Sequence, residues 1–119
     1  MCPEKAKVFI AEDDDGFREM VIERLEEGEH KVVAFAKTFK EAKELAPRLE
    51  ELGVQVAILD GNLSPNETEG REGQTILRII KEKSPRVKTV GISAGYIQGV
   101  DIDLGKKRIE KLVEIVDKI

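Results

Sequence analysis

The sequence predicts an α/β protein built on a parallel five-stranded sheet with helices on both faces. Short apolar runs of five to seven residues alternate along the chain with segments whose apolar residues recur every three or four positions. Such alternation indicates parallel strands joined by crossover helices, which cover both faces of the sheet. The predicted strands are residues 7–11, 31–35, 54–59, 87–93 and 100–104.

The size and composition of the chain fit a single domain over residues 1–119. Hydrophobic residues make up 40% of the chain, which is enough for one core, and the net charge of -4 without a basic stripe argues against nucleic-acid binding. The single cysteine, Cys2, excludes a disulfide framework and favours a reducing, cytoplasmic compartment. Because no apolar run approaches the roughly 20 residues that span a bilayer, and no signal peptide is visible, no membrane role is expected.

The first two helices are predicted from apolar periodicity and capping signals. Residues 15–27 have a helical period, and Gly28 ends it. Thr38 and Glu41 have the spacing of a capping box that opens the second helix. Pro47 lies inside the apolar stripe of that helix, so a kink or a break is predicted there.

The second half of the chain begins with a polar stretch, residues 61–73, which is predicted to be a long loop. A third helix follows, with Ile76, Leu77 and Ile80 on one face, and Ser84 precedes the proline that ends it. The final helix is predicted over residues 107–118.

Reactive side chains follow the predicted strands at their carboxyl ends, where open parallel sheets bind ligands. Clustered carboxylates repel one another unless a cation lies among them, and hard oxygen ligands favour Mg²⁺. A lysine opposite them supplies a compact positive charge for phosphate. Together with a hydroxyl, these are the groups that phosphoryl transfer to a carboxylate needs. The groups are Glu12, Asp13, Asp14 and Asp15 after the first strand, Asp60 after the third, Ser93 after the fourth and Lys106 after the fifth.

Residues 10–18 and 56–60, with the Ser93-Ala94 pair and Lys106, resemble the receiver domain of two-component response regulators over nearly the whole chain. The resemblance implies a doubly wound, flavodoxin-like sheet of strand order 2-1-3-4-5. It implies that Asp60 is the phospho-acceptor and that Ser93 and Lys106 contact the phosphoryl group. By the same likeness, Mg²⁺ would be held by Glu12, Asp13, Asp60 and the backbone carbonyl of Asn62.

Three departures from the family pattern stand out. The loop after Asp60 is longer than usual, so the later glycine of the motif is best matched to Gly73. Only 12 residues separate Ser93 from Lys106, so the helix between the fourth and fifth strands is expected to be missing or reduced to a turn. Asp103 stands where the family often has an aromatic switch residue.

The resemblance implies a signalling protein that takes phosphate from a histidine kinase or a phosphotransfer protein and acts through contact with a downstream protein. It would not be an enzyme, apart from slow hydrolysis of its own phosphoryl group.

The alternative is an atypical receiver that binds proteins without coupling to phosphorylation, which the missing helix and Asp103 favour. A metal-dependent phosphohydrolase is a weaker possibility. A monomer is expected, because the shortened passage removes much of the face that family members often use to dimerise.

Several of these residues also have simpler interpretations. Asp14 or Asp15 can cap the first helix, where negative charge is favourable. Taken alone, Ser93 would be interpreted as a helix cap. Lys106 could belong to a solvated basic turn, and the match of the family's lysine to this position could shift by one residue. His30 is expected at a turn before the second strand, with no ligand role.

Overall fold

The computed structural model describes residues 6–60, 71–92 and 97–118, with the backbone alone for 106–108. These residues form a five-stranded sheet of order β2-β1-β3-β4-β5, in which all neighbouring strands are parallel. The predicted fold class and the strand order implied by the resemblance are therefore confirmed. The strands are β1 (Lys7–Ala11), β2 (Lys31–Ala36), β3 (Val56–Leu59), β4 (Lys88–Gly91) and β5 (Ile102–Asp103).

Two of the helices begin at the caps expected from the sequence. The Asp14 side chain accepts a hydrogen bond from the Phe17 N–H at 3.0 Å, and Thr38 Oγ1 accepts one from Glu41 N–H at 3.1 Å. No helix in the described ranges has the length and apolarity needed to cross a membrane. The helices are α1 (Asp15–Glu27), α2 (Phe39–Leu45), α3 (Arg71–Lys83) and α4 (Leu112–Lys118), with 3₁₀ segments at Ala46–Arg48 and Lys106–Lys111.

The core consists of two hydrophobic layers, one on each face of the sheet. Along β3, Ala57 and Leu59 point into one layer while Val56 and Ile58 point into the other, as the two-residue period of a strand requires. A strand that is apolar on both faces belongs at the centre of a parallel sheet, which is where β3 lies. The first layer contains Leu49, Ile76, Leu77 and Ile80, and the second contains Val21, Leu25, Leu112 and Val116.

Several boundaries differ from the sequence-based predictions. Residues 71–73 of the predicted loop belong to α3, and Gly73 is buried near its start; residues 61–70 lie outside the described residues. The predicted final helix is divided into a 3₁₀ segment and α4. Pro47 lies in the 3₁₀ segment that follows α2, so the predicted break is confirmed. The strands predicted over 54–59, 87–93 and 100–104 are shorter, because apolar residues continue beyond the paired backbone.

The connection from β4 to β5 spans only the ten residues 92–101. Residue 92 and residues 97–101, the part that the structure describes, contain no helix, which confirms the predicted reduction. Ile97 is buried in the first core layer, and Val100 packs against that layer. Gly91 lies beneath this connection, because a Cβ on Gly91 would meet Val100 Cγ2 at 3.4 Å. Two side chains therefore cover the sheet where the resemblance implies a helix.

Hydrogen bonds at two points hold the second half of this short connection in place. The Gln74 side chain on α3 donates to Gln98 O at 2.6 Å and accepts from Gln98 N–H at 3.1 Å. The Asp101 carboxylate accepts from Thr89 N–H on β4 at 2.8 Å, and the Asp101 N–H donates to Thr89 Oγ1 at 3.0 Å. Residues 97–101 of the connection are thus fixed to α3 through Gln98 and to β4 through Asp101.

Candidate functional site

Three of the predicted site residues meet at the carboxyl edge of the sheet. In the register of β1 and β3, Ala11 pairs with Leu59, so the residues that follow these two strands lie side by side. The Asp60 N–H donates to Ala11 O at 3.0 Å, which extends the pairing by one residue. Carboxylate oxygens of Glu12, Asp13 and Asp60 all lie within 4.8 Å of one another. The predicted convergence of these three acids is confirmed.

The three carboxylates lie in a poorly hydrated position. Glu12 is fully buried, Asp60 is 3% exposed, and Asp13 is partly buried. Two unit charges 4.8 Å apart repel by about 3 kcal/mol at an effective dielectric constant of about 20. A cation among the three oxygens would relieve this repulsion. The oxygen-only donor set fits a hard divalent cation such as Mg²⁺, with its remaining positions filled by water or by phosphate oxygens.

The backbone around Glu12 is anchored on both sides. The Glu12 N–H donates to Ala36 O at 3.1 Å, which ties it to β2. Glu12 Oε2 accepts from the Asp14 N–H at 3.2 Å. The Glu12 carbonyl accepts a hydrogen bond from Arg18 Nη1 at 3.0 Å. Glu12 therefore has a defined position relative to two strands and the start of α1.

Arg18 is the residue of this region that the sequence analysis missed. The periodicity of α1 marks Phe17, Met20 and Val21 as apolar positions, and an arginine between them looks like a solvent-facing residue. Arg18 is instead 3% exposed. One signal was available, because a cation near the amino end of a helix opposes the helix dipole and needs a local reason to be there.

Asp14 and Asp15 have the simpler roles considered for them. Asp14 caps α1. Asp15 pairs with Arg18, and the hydrogen bond from the Arg18 guanidinium, together with its positive charge, lowers the pKa of Asp15 from the usual value. Neither residue belongs to the group of three converging carboxylates.

The remaining predicted site residues are only partly placed. Ser93 and Asn62 lie outside the described residues, so their roles stay predictions. Lys106 begins the 3₁₀ segment just after β5, and its side chain lies outside the described part of the structure. Its backbone is therefore beyond the end of β5, in the chain position that the resemblance requires.

His30 stands before β2, as expected, at the opposite end of that strand from the carboxylates. It is buried, and its Nε2 lies 2.8 Å from Asp117 Oδ1 on α4. This contact joins the turn after α1 to the last helix.

Comparisons with known proteins place this geometry in a known fold. No family model and no curated protein matches the sequence. The solved structures that resemble it include a LuxR-family DNA-binding response regulator from Staphylococcus aureus, at 26% identity and a TM-score of 0.74, with 95% of this chain and 97% of that chain covered. The chain has the receiver-domain fold.

Two further receiver structures support the same conclusion. The receiver domain of the response regulator NarL from Mycobacterium tuberculosis is 25% identical with a TM-score of 0.69, and 98% of each chain is covered. The response regulator domain of CheB from Thermotoga maritima is 21% identical with a TM-score of 0.70, and 95% of this chain and 94% of that chain are covered. The receiver fold thus extends over nearly the full length of this chain.

Proposed function

We propose that this chain is a two-component receiver that accepts a phosphoryl group on Asp60 with the help of Mg²⁺. The observation that carries the proposal is the meeting of Glu12, Asp13 and Asp60 within 4.8 Å at the carboxyl edge of a receiver-fold sheet. The fold alone leaves the activity open, because one fold can serve several functions. The acids at this edge supply the chemistry that a receiver needs.

The reaction is the displacement of one bond to phosphorus by another. An oxygen of the Asp60 carboxylate attacks the phosphorus of a phosphohistidine in line, and the P–N bond breaks with its electron pair going to the ring nitrogen. The proton already carried by the other ring nitrogen lets the donor histidine leave as neutral imidazole. The product is a mixed anhydride on Asp60. Glu12, Asp13, Asp60 and the Asn62 carbonyl would hold the Mg²⁺, which when bound would neutralise charge on the transferring group. Ser93 and Lys106 orient and pair with its oxygens.

The donor is a histidine kinase or a phosphotransfer protein, and the output is contact with a downstream protein in the cytoplasm. The chain is not a turnover enzyme, because loss of the phosphoryl group would occur only by slow hydrolysis. The protein works as a monomer, since the described part of the connection from β4 to β5, residue 92 and residues 97–101, contains no helix that a partner copy could use.

A second candidate function is a protein-binding module that keeps the acidic site but does not respond to phosphorylation. The observation that favours it is the second half of the short connection from β4 to β5, which is hydrogen-bonded to α3 through Gln98 and to β4 through Asp101. Residues 97–101, held in this way, have little freedom to move with the state of the site. Asp103 stands where the family often has an aromatic switch residue. An aspartate there cannot act as an aromatic ring that changes rotamer between a buried and an exposed state.

Intact-mass measurement after incubation with MgCl₂ and a small phosphodonor tests the first proposal. We expect an adduct of one phosphoryl group in the wild type and in Asp14→Asn, which keeps a good helix cap. We expect none in Asp60→Asn. Absence of the adduct from the wild type would refute phospho-acceptance, and rapid multiple turnover of the donor would indicate a phosphohydrolase.

Amide hydrogen exchange with and without beryllofluoride separates the receiver from the uncoupled module. Changed exchange far from Asp60, in α3 or around Gln98, supports a switch. Changes confined to the acidic site support the module.

A further inference from the structure

Arg18 is a buried cation next to the acidic site that none of the roles above accounts for. It lies on α1, four residues after the Asp14 cap, and is 3% exposed. A guanidinium loses several kcal/mol of hydration in such a place, so its contacts must compensate. They consist of a hydrogen bond from Nη1 to Glu12 O, an ion pair of Nη2 with Asp15 and a ring contact with Phe35.

The hydrogen bond to Glu12 acts on the peptide unit that links two of the acids. The Glu12 carbonyl and the Asp13 N–H belong to one planar peptide group, so fixing the carbonyl direction also fixes the plane from which Asp13 extends. The Glu12 N–H is held by Ala36 O at 3.1 Å, and Arg18 Nη1 holds the carbonyl at 3.0 Å. The two contacts together fix the backbone of Glu12 and therefore the position from which Asp13 extends.

The outer contacts hold the guanidinium itself in place. The Asp15 carboxylate pairs with Nη2 from the solvent side, and the Phe35 ring centroid lies 5.3 Å from Arg18 Cζ. Phe35, on β2, is 45% exposed, and its ring covers part of the guanidinium. Because Asp15 neutralises Arg18, the arginine repels a nearby divalent cation only weakly.

We propose that Arg18 is a positioning residue for the divalent-cation site, holding the Glu12–Asp13 peptide so that both carboxylates face Asp60. The inference rests on the proposed function, because it assumes that these acids bind Mg²⁺. Groups that orient metal ligands without touching the metal typically change metal affinity by about 10–100-fold when they are removed.

Amide NMR titration with MgCl₂ tests the inference, with the dissociation constant read from the amide shifts of residues around Glu12. The variants are Arg18→Met, which keeps much of the side-chain volume but has no hydrogen-bond donor, and Arg18→Lys, which keeps the charge but lacks the planar N–H donors of the guanidinium. Leu25→Ala is the control, because it removes a buried side chain from the same helix at a distance from the acids. All titrations are run at a temperature where circular dichroism shows the four proteins folded.

We expect the Mg²⁺ affinity to fall by about tenfold or more in Arg18→Met, by several-fold in Arg18→Lys and not at all in Leu25→Ala. If only the charge of Arg18 mattered, the Mg²⁺ affinity of Arg18→Met would rise, because loss of a positive charge would strengthen cation binding. Unchanged or tighter binding in Arg18→Met, or an equal loss in Leu25→Ala, would overturn the inference. If Arg18→Met does not fold, wild-type affinity in Arg18→Lys would overturn it. A wild type that binds no Mg²⁺ would refute the proposed cation site itself.

Discussion

Replacing Asp101 with alanine should destabilise the protein through the connection between β4 and β5. One carboxylate oxygen of Asp101 accepts from both the N–H and the hydroxyl of Thr89, at 2.8 and 3.1 Å. In the β4–β5 register, Val90 pairs with Ile102, so Asp101 stands opposite Thr89, just before β5 begins. The carboxylate thus provides the acceptor that a longer β5 would have supplied.

The size of the effect follows from the burial of Thr89, which is 1% exposed. Hydrogen bonds to a charged group contribute about 1.5–3 kcal/mol each, and a buried donor left without an acceptor costs about 1–3 kcal/mol. Because the two bonds share one oxygen of an exposed residue, we expect a total loss of about 2–3 kcal/mol rather than the full sum. An unfolding entropy of about 2.1 cal/mol/K per residue over 119 residues converts this loss into a Tm lower by about 8–12 °C.

Thermal and urea unfolding, followed by circular dichroism, measure the change. Asp101→Asn keeps an uncharged acceptor, so it should lose about 1 kcal/mol or less. Glu110→Ala, at an exposed position, is the control and should stay within about 0.5 kcal/mol of the wild type. If Asp101→Ala lost no more than this control, the reasoning that the side chain replaces a missing part of β5 would be refuted.

Three further predictions concern the acids and the packing of α4. MgCl₂ at ten times its dissociation constant should stabilise the wild type by about 1.4 kcal/mol and raise its Tm by about 6 °C, while Asp13→Ala should show little response in the same melting assay. The lowered pKa of Asp15 means that its contribution is fully present above the unfolded value of 3.8 and is lost as the pH falls through the folded value. Urea titrations from pH 5 to pH 2 should therefore show a shallower loss of stability in Asp15→Asn than in the wild type; equal slopes would contradict this. Gly28→Ala should destabilise by about 1–3 kcal/mol, because the added Cβ would lie 2.5 Å from Val113 Cγ1. Adding Val113→Ala to that variant should make the two losses less than additive, and strict additivity would show that the contact does not matter.

The acidic site could be predicted from sequence because it depends on features that are local or repeated. Periodicity identifies the strands, parallel pairing brings their carboxyl ends to one edge, and Glu12 and Asp60 follow the strands directly. The broken second helix was predicted for a similar reason, since Pro47 lacks a backbone donor. The predicted reduction of the helix between β4 and β5 needed the family resemblance and a count of residues.

The contacts that hold these parts in place were decided by the tertiary structure alone. Arg18 and Glu12 are six residues apart, and their bond depends on the angle between α1 and the end of β1. Thr89 and Asp101 are 12 residues apart and meet through the parallel register of β4 and β5. His30 and Asp117 are 87 residues apart. Hydrophobic periodicity reports which face of an element is buried, but it carries no information on how a polar side chain within that face is satisfied. For this protein, the sequence determined where the acids are, and the packing of the helices determined which side chains contact the backbone around them.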